Sequence, residues 1–123
     1  MAKKTTTPTK IEKVALTYKG RTYDLVFNLN VMEQIQEEYG TVAAWGDLTD
    51  NAAEPNAKAV IFGLMCMINE GIDIYNEEHA DEEPKAFMTR KQVGRMLTEI
   101  GLEEAAQKLN DSVINSTKSY EKN

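Results

Sequence analysis

The stretch AKAVIFGLMCMINEGIDIY, residues 57–75, decides the fold of this chain. Its centre, from Ala59 to Ile68, is ten residues long and carries no polar side chain. A helix needs about 20 apolar residues to span a bilayer, so this run is too short for a membrane segment. The run therefore predicts a helix that is buried inside a folded domain.

Apolar residues of this predicted helix fall on two faces. One stripe recurs at three- and four-residue spacing, and a second repeats every seven residues. The first consists of Ala57, Ile61, Leu64, Met65, Ile68, Ile72 and Tyr75, and the second of Val60, Met67 and Ile74. A helix with two apolar faces needs cover on both sides, and another protein can supply part of that cover.

The composition is that of one globular domain with an acidic surface. The 123 residues carry a formal net charge of −6, which opposes binding to nucleic acid phosphates and to anionic membranes. Cys66 is the only cysteine, so no intramolecular disulfide forms and the chain suits a reducing compartment. The basic first ten residues are not followed by the apolar region of a secretion signal. These features predict a cytoplasmic protein that binds neither nucleic acid nor membrane.

Residues 11–27 predict a β-hairpin. Apolar and polar residues alternate there with a period of two, and Lys19-Gly20 supplies a two-residue turn. With this turn, the large apolar side chains share one face of the hairpin, in the pairs Leu16–Tyr23 and Val14–Leu25. Because an isolated hairpin is marginal in water, that face is expected to pack on helices.

Four helices are predicted after the hairpin. The first begins at Asn28 or Asn30, and the third begins with a capping box at Thr89. The second contains the apolar run, and it either ends at Gly71 or continues to about residue 79. The predicted bounds are about 29–39, 56–70, 89–100 and 103–114.

The remaining segments are predicted without regular structure. Residues 41–55 are interpreted as a loop with room for one helical turn, anchored by Trp45. Residues 1–10 and 115–123 are interpreted as polar tails, the first of them flexible. The predicted fold class is α+β: an N-terminal two-stranded antiparallel hairpin packed on a bundle of about four helices, mostly α. These elements form a single domain over residues 11–114.

The sequence contains no pattern typical of a catalytic or metal site. His79 is the only histidine, so a Cys-His or Ser-His-Asp arrangement has no spare base and catalysis by imidazole is not expected. A histidine-rich metal site is excluded. The acids of residues 77–83 lack the spacing of a calcium loop and are interpreted as a solvated turn. Cys66 lies in an apolar run, where burial raises the pKa of a thiol and makes it unreactive. We therefore expect no catalytic residue, no cofactor and no metal.

The order of the elements resembles a known family. The hairpin over residues 17–27 is followed at once by NLNVMEQIQEEYG, residues 28–40. Together with the loop aromatic, the apolar helix ending near residues 69–71 and the helix opened by Thr89, this opening resembles the tail assembly chaperones of long-tailed bacteriophages and related prophages. The similarity covers about residues 10–101. It implies a protein that is not an enzyme, binds the tape measure protein, helps recruit tail tube subunits and is absent from the mature virion.

A chaperone of this kind needs an adaptable apolar groove for a helical partner, and the methionine-rich central helix suits that use. The residues expected to line the groove are Trp45, Ile61, Leu64, Met65 and Ile68. Two other functions are left open by the sequence: a different small phage structural protein, such as a head-tail connector or tail-completion factor, and a small DNA-binding regulator that uses the helix opened by Thr89. Formation of a homo-oligomer is also left open.

Overall fold

The structure is a computed structural model that describes residues 13–50 and 54–121. Within these ranges, an N-terminal two-stranded antiparallel hairpin packs against five helices, so the predicted α+β class is confirmed. The elements are β1 (Val14–Tyr18), β2 (Arg21–Leu25), α1 (Leu29–Tyr39), α2 (Val42–Thr49), α3 (Ala57–Glu78), α4 (Arg90–Ile100) and α5 (Leu102–Glu121). None of the helices in the described ranges has both the length and the apolarity needed to cross a membrane.

The hairpin has the predicted register. The residue pairs that face each other across the two strands include Val14–Leu25 and Leu16–Tyr23. The two turn residues, Lys19 and Gly20, have positive φ angles of 52° and 76°, as a type I′ turn requires. Leu16 and Leu25 are buried, so the apolar face of the hairpin is covered by the helices.

Helix α3 is the centre of the fold, as predicted. It packs against β2 and against each of the other four described helices. Two of its glycines permit this close approach: a Cβ atom on Gly63 would lie 2.5 Å from Cζ2 of Trp45, and one on Gly71 would lie 3.0 Å from the carbonyl oxygen of Asp24. The helix continues through Gly71 to Glu78, so the longer of the two predicted forms is the observed one.

Two other helix starts follow from local sequence. The side chain of Asn28 accepts a hydrogen bond from the amide of Val31 at 3.2 Å and begins α1. Thr89 and Gln92 form the predicted reciprocal capping box at the start of α4. The bounds of α1 and α4 lie within one residue of those predicted, because caps of this kind act over a single helical turn.

The prediction of a loop over residues 41–55 is wrong. It contains the eight-residue helix α2, which Thr41 caps by accepting a hydrogen bond from the amide of Ala44. Gly46 and Asp47 are poor helix formers, and their low helix propensity favours a loop. Burial of Trp45 in the core outweighs that propensity and stabilises the helix. The predicted anchor is correct, since Trp45 is buried and its indole nitrogen donates a hydrogen bond to the carbonyl oxygen of Ala59 at 3.0 Å.

The prediction of a polar tail from residue 115 is also wrong, because α5 continues to Glu121. Two of its serines, one helical turn apart, donate hydrogen bonds to the last residue of β2 and to the chain that follows it. Ser112 Oγ lies 3.1 Å from the carbonyl oxygen of Leu25, and Ser116 Oγ lies 2.9 Å from that of Phe27. The face that holds α5 in place is therefore partly polar, and an apolar pattern does not reveal it. The tail predicted for residues 1–10 lies outside the described residues.

Candidate functional site

The five residues predicted to line a groove occupy two different environments. Trp45, Leu64 and Ile68 are at most 1% exposed and belong to the hydrophobic core. Ile61 and Met65 are only half-buried and lie one helical turn apart on α3. A side chain that is already fully covered by its own domain offers no surface to a partner. In this structure only Ile61 and Met65, of the five, are accessible for binding.

A third residue joins these two at the surface. Phe62 is also half-buried. Together Ile61, Phe62 and Met65 form the partly exposed apolar side of α3, which we call the α3 open face. The ring of Tyr39 from α1 meets that of Phe62 edge to face, with centroids 5.8 Å apart. On the other side Gly94 of α4 has no side chain, and a Cβ there would lie 3.8 Å from Cδ1 of Ile61.

Phe62 and Tyr39 were missing from the predicted groove. Phe62 lies in the same apolar run as Ile61, but a run without polar residues gives no sign of which positions face solvent. Phe62 stays partly exposed because of the elements that pack beside α3, which the run itself does not specify. Tyr39 lies at the end of α1, and the sequence could have suggested it because a tyrosine ring has a polar end that suits the edge of an apolar surface.

The hydroxyl group of Tyr39 is a buried polar atom that has no hydrogen-bond partner among the described residues. The pKa of this phenol is raised, mainly by burial and then by the negative charge of Glu38, while the positive charge of Arg90 lowers it. Leaving a buried hydroxyl group unpaired typically costs about 1–3 kcal/mol. The edge of the α3 open face therefore carries one donor that the domain itself does not use.

Two asparagines on α3 hold the chain that precedes α4. Asn69 donates to the carbonyl oxygen of Met88 at 2.9 Å and accepts from its amide at 2.8 Å. Asn76 makes the same pair of hydrogen bonds to Lys85, at 3.1 and 2.9 Å. The seven helical residues from Asn69 to Asn76 rise about 10.5 Å along α3. The three residues from Lys85 to Met88 span ~10 Å if the chain is extended, so the two asparagines and their two partners have matching spacings. Asn69 follows Met65 by one helical turn, so the segment that Asn69 holds lies beside the C-terminal end of the α3 open face.

Two residues with potentially reactive side chains, Cys66 of α3 and His79 at its C-terminal end, are held by their surroundings. Cys66 is buried, and burial followed by the charge of Glu38 raises the pKa of its thiol to about 11. The His79 ring stacks on that of Tyr75 at 3.9 Å, and its Nδ1 lies 2.9 Å from the Tyr75 carbonyl oxygen. Within the described ranges, no three His, Cys, Asp or Glu side chains are grouped closely enough to hold a metal ion.

The α3 open face is thus an apolar strip bounded by an aromatic ring, a glycine and an asparagine-held segment. Comparison of the chain with family models, with curated proteins and with solved structures found no match.

Proposed function

We propose that this chain is a bacteriophage tail assembly chaperone. It binds the tape measure protein in the host cytoplasm, helps recruit tail tube subunits and leaves before the virion is complete, and it is not an enzyme. The observation that carries the proposal is the α3 open face. Its three apolar side chains lie on the central helix and are partly exposed. A partner could therefore bind them without opening the core.

The mode of binding is a helix laid into an apolar groove. An unassembled tape measure protein is a long apolar helix, and its side chains at three- and four-residue spacing would cover Ile61, Phe62 and Met65. The net charge of −6 would keep the complex in solution.

The test is co-expression with the tape measure protein, the product of a very long gene expected near this one in the same genome. Ile61→Asp and Met65→Asp place a charge on the α3 open face at side chains that are partly exposed. Each is expected to reduce the amount of tape measure protein that stays in solution by about tenfold, because an interface cannot cover an unpaired carboxylate without a desolvation penalty. Leu64 is fully buried, and an aspartate there would unfold the chain, so it is unsuitable as a test position.

Leu29→Asp is the matched control, because Leu29 is 70% exposed and lies at the start of α1, outside the α3 open face. It introduces the same charge and is expected to leave the partner in solution. Circular dichroism and thermal melting of all three variants establish that they are folded. If Ile61→Asp and Met65→Asp keep the partner in solution as the unchanged chain does, the proposal is wrong. Retention of this protein in purified particles would instead indicate a virion component.

A further inference from the structure

A second surface of this protein lies at the tip of the hairpin and shares no residue with the α3 open face. A cleft of about 310 Å³ separates the hairpin tip from the segment before α4 and from α4 itself. An adjoining cleft of about 260 Å³ shares Arg21 and Tyr23 with it and reaches Tyr75 and Lys85. We call the two together the hairpin cleft, and its charged and aromatic residues are Tyr18, Lys19, Arg21, Tyr23, Asp24, Tyr75, Lys85, Phe87 and Arg95.

The hairpin cleft is basic on a chain that is acidic as a whole. Four of its residues are exposed cations, Lys19, Arg21, Lys85 and Arg95, although acids exceed bases by 20 to 14 in the full sequence. Among the described residues, none of these four cations forms an ion pair within 4 Å, and Asp24 pairs with Lys13 instead. The nearby carboxylates of Glu99 and Glu82 accept hydrogen bonds from the hydroxyl groups of Tyr18 and Tyr75.

Three of the cations lie over tyrosine rings. Lys19 lies 5.3 Å from the ring centroid of Tyr18, Arg21 lies 5.6 Å from that of Tyr23, and Lys85 lies 3.9 Å from that of Tyr75. Contacts of this kind restrict long flexible side chains and hold their charges near the cleft wall. A ligand carboxylate then meets cations that have already lost part of their freedom, which lowers the entropic cost of binding.

The same contacts argue against a nucleic acid as the occupant. Single-stranded nucleic acids bind by stacking their bases on open aromatic faces, and here the cations lie over one face of each of the three tyrosine rings. Phe87 is the exception, because it is 54% exposed and no aromatic or cationic group among the described residues lies over its ring. An apolar side chain of a peptide would cover it.

We propose that the hairpin cleft binds an acidic segment of a partner protein, whose carboxylates pair with Lys19, Arg21 and Arg95 and whose apolar side chain packs on Phe87. This surface is separate from the one proposed for the tape measure protein. Failure of either proposal therefore leaves the other standing.

The experiment uses the full chain and a fluorescein-labelled twelve-residue peptide that alternates Asp-Glu pairs with Leu or Phe. The double variant Arg21→Glu with Arg95→Glu is expected to weaken binding of this peptide by at least about tenfold in fluorescence anisotropy. The matched control is Lys58→Glu with Lys108→Glu, which changes the net charge by the same amount at residues outside the cleft. It is expected to change the affinity by less than about threefold at 0.15 M salt, since charges far from the cleft are screened there.

Two further measurements test the apolar part and the rival occupant. Phe87→Ala is expected to weaken binding of this peptide but not of a peptide in which Ser replaces Leu and Phe. The proposal is overturned if the control variant loses as much affinity as the double variant, if no binding is detected up to about 1 mM peptide, or if a twelve-nucleotide thymidine probe binds more tightly than the acidic peptide.

Discussion

The indole ring of Trp45 occupies the space that a side chain at Gly63 would need. A Cβ atom on Gly63 would lie 2.5 Å from Cζ2 of the indole, well inside van der Waals contact. The indole cannot retreat easily, because its nitrogen is hydrogen-bonded to the Ala59 carbonyl oxygen and its ring lies parallel to that of Phe27, with centroids 6.2 Å apart. This contact joins α2 to the central helix.

We predict that Gly63→Ala lowers the free energy of unfolding by about 1–3 kcal/mol, because overpacking of a rigid core outweighs the higher helix propensity of alanine. Gly94→Ala is the matched control, since its Cβ would meet nothing closer than 3.8 Å and the same propensity gain applies. It is expected to raise the free energy of unfolding by up to about 1 kcal/mol. Urea denaturation of the two variants measures both, and equal stabilisation by the two would contradict the Trp45 contact.

The unpaired hydroxyl group of Tyr39 leads to a second prediction. Tyr39→Phe removes a buried polar atom that has no partner in the described part of the chain, while the ring contact with Phe62 is kept. The free energy of unfolding should stay the same or rise by up to about 1 kcal/mol. Thermal and urea denaturation measure it. A loss of more than about 1 kcal/mol would mean that the hydroxyl group has a hydrogen bond in solution.

The segment before α4 should depend on Asn69 for its order. Asn69→Ala removes both hydrogen bonds to Met88, so amide hydrogen exchange over residues 83–89 is expected to become faster while that of the hairpin stays unchanged. Asn76→Ala removes the exposed pair to Lys85 and is expected to have a smaller effect. Exchange mass spectrometry distinguishes the two, and unchanged rates in Asn69→Ala would refute this role.

Cys66 should be unreactive in the folded protein at pH 8. With a thiol pKa of about 11, roughly one molecule in a thousand carries the thiolate that attacks iodoacetamide. Alkylation followed by mass spectrometry is expected to be very slow in buffer and fast in urea. Rapid labelling of the folded chain would contradict the burial of Cys66.

The same pKa predicts a pH dependence of stability. Burial favours the neutral thiol, so the contribution of Cys66 is fully present below the ordinary pKa of 9.0 and is lost as pH rises towards about 11. Over that interval the free energy of unfolding should fall more steeply in the unchanged chain than in Cys66→Ala. Comparison of the two chains removes the titration of tyrosine and lysine residues, which is common to both.

The sequence alone determined those features that depend on neighbouring residues. A two-residue turn and a period of two set the hairpin register, and the caps at Asn28 and Thr89 set two helix starts. An apolar run without an internal polar residue identified the central helix. Each of these patterns is complete within one or two turns of chain, so no distant contact is needed to read it.

Only the tertiary structure decided the features that depend on distant partners. Helix α2 forms because Trp45 is buried against Gly63, and α5 extends past residue 114 where Ser112 and Ser116 reach carbonyl oxygens 87 and 89 positions away. It likewise decided that Leu64 and Ile68 are core while Ile61 and Met65 are accessible. All four are equally apolar in sequence, and whether a side chain meets solvent is set by the elements that pack beside it.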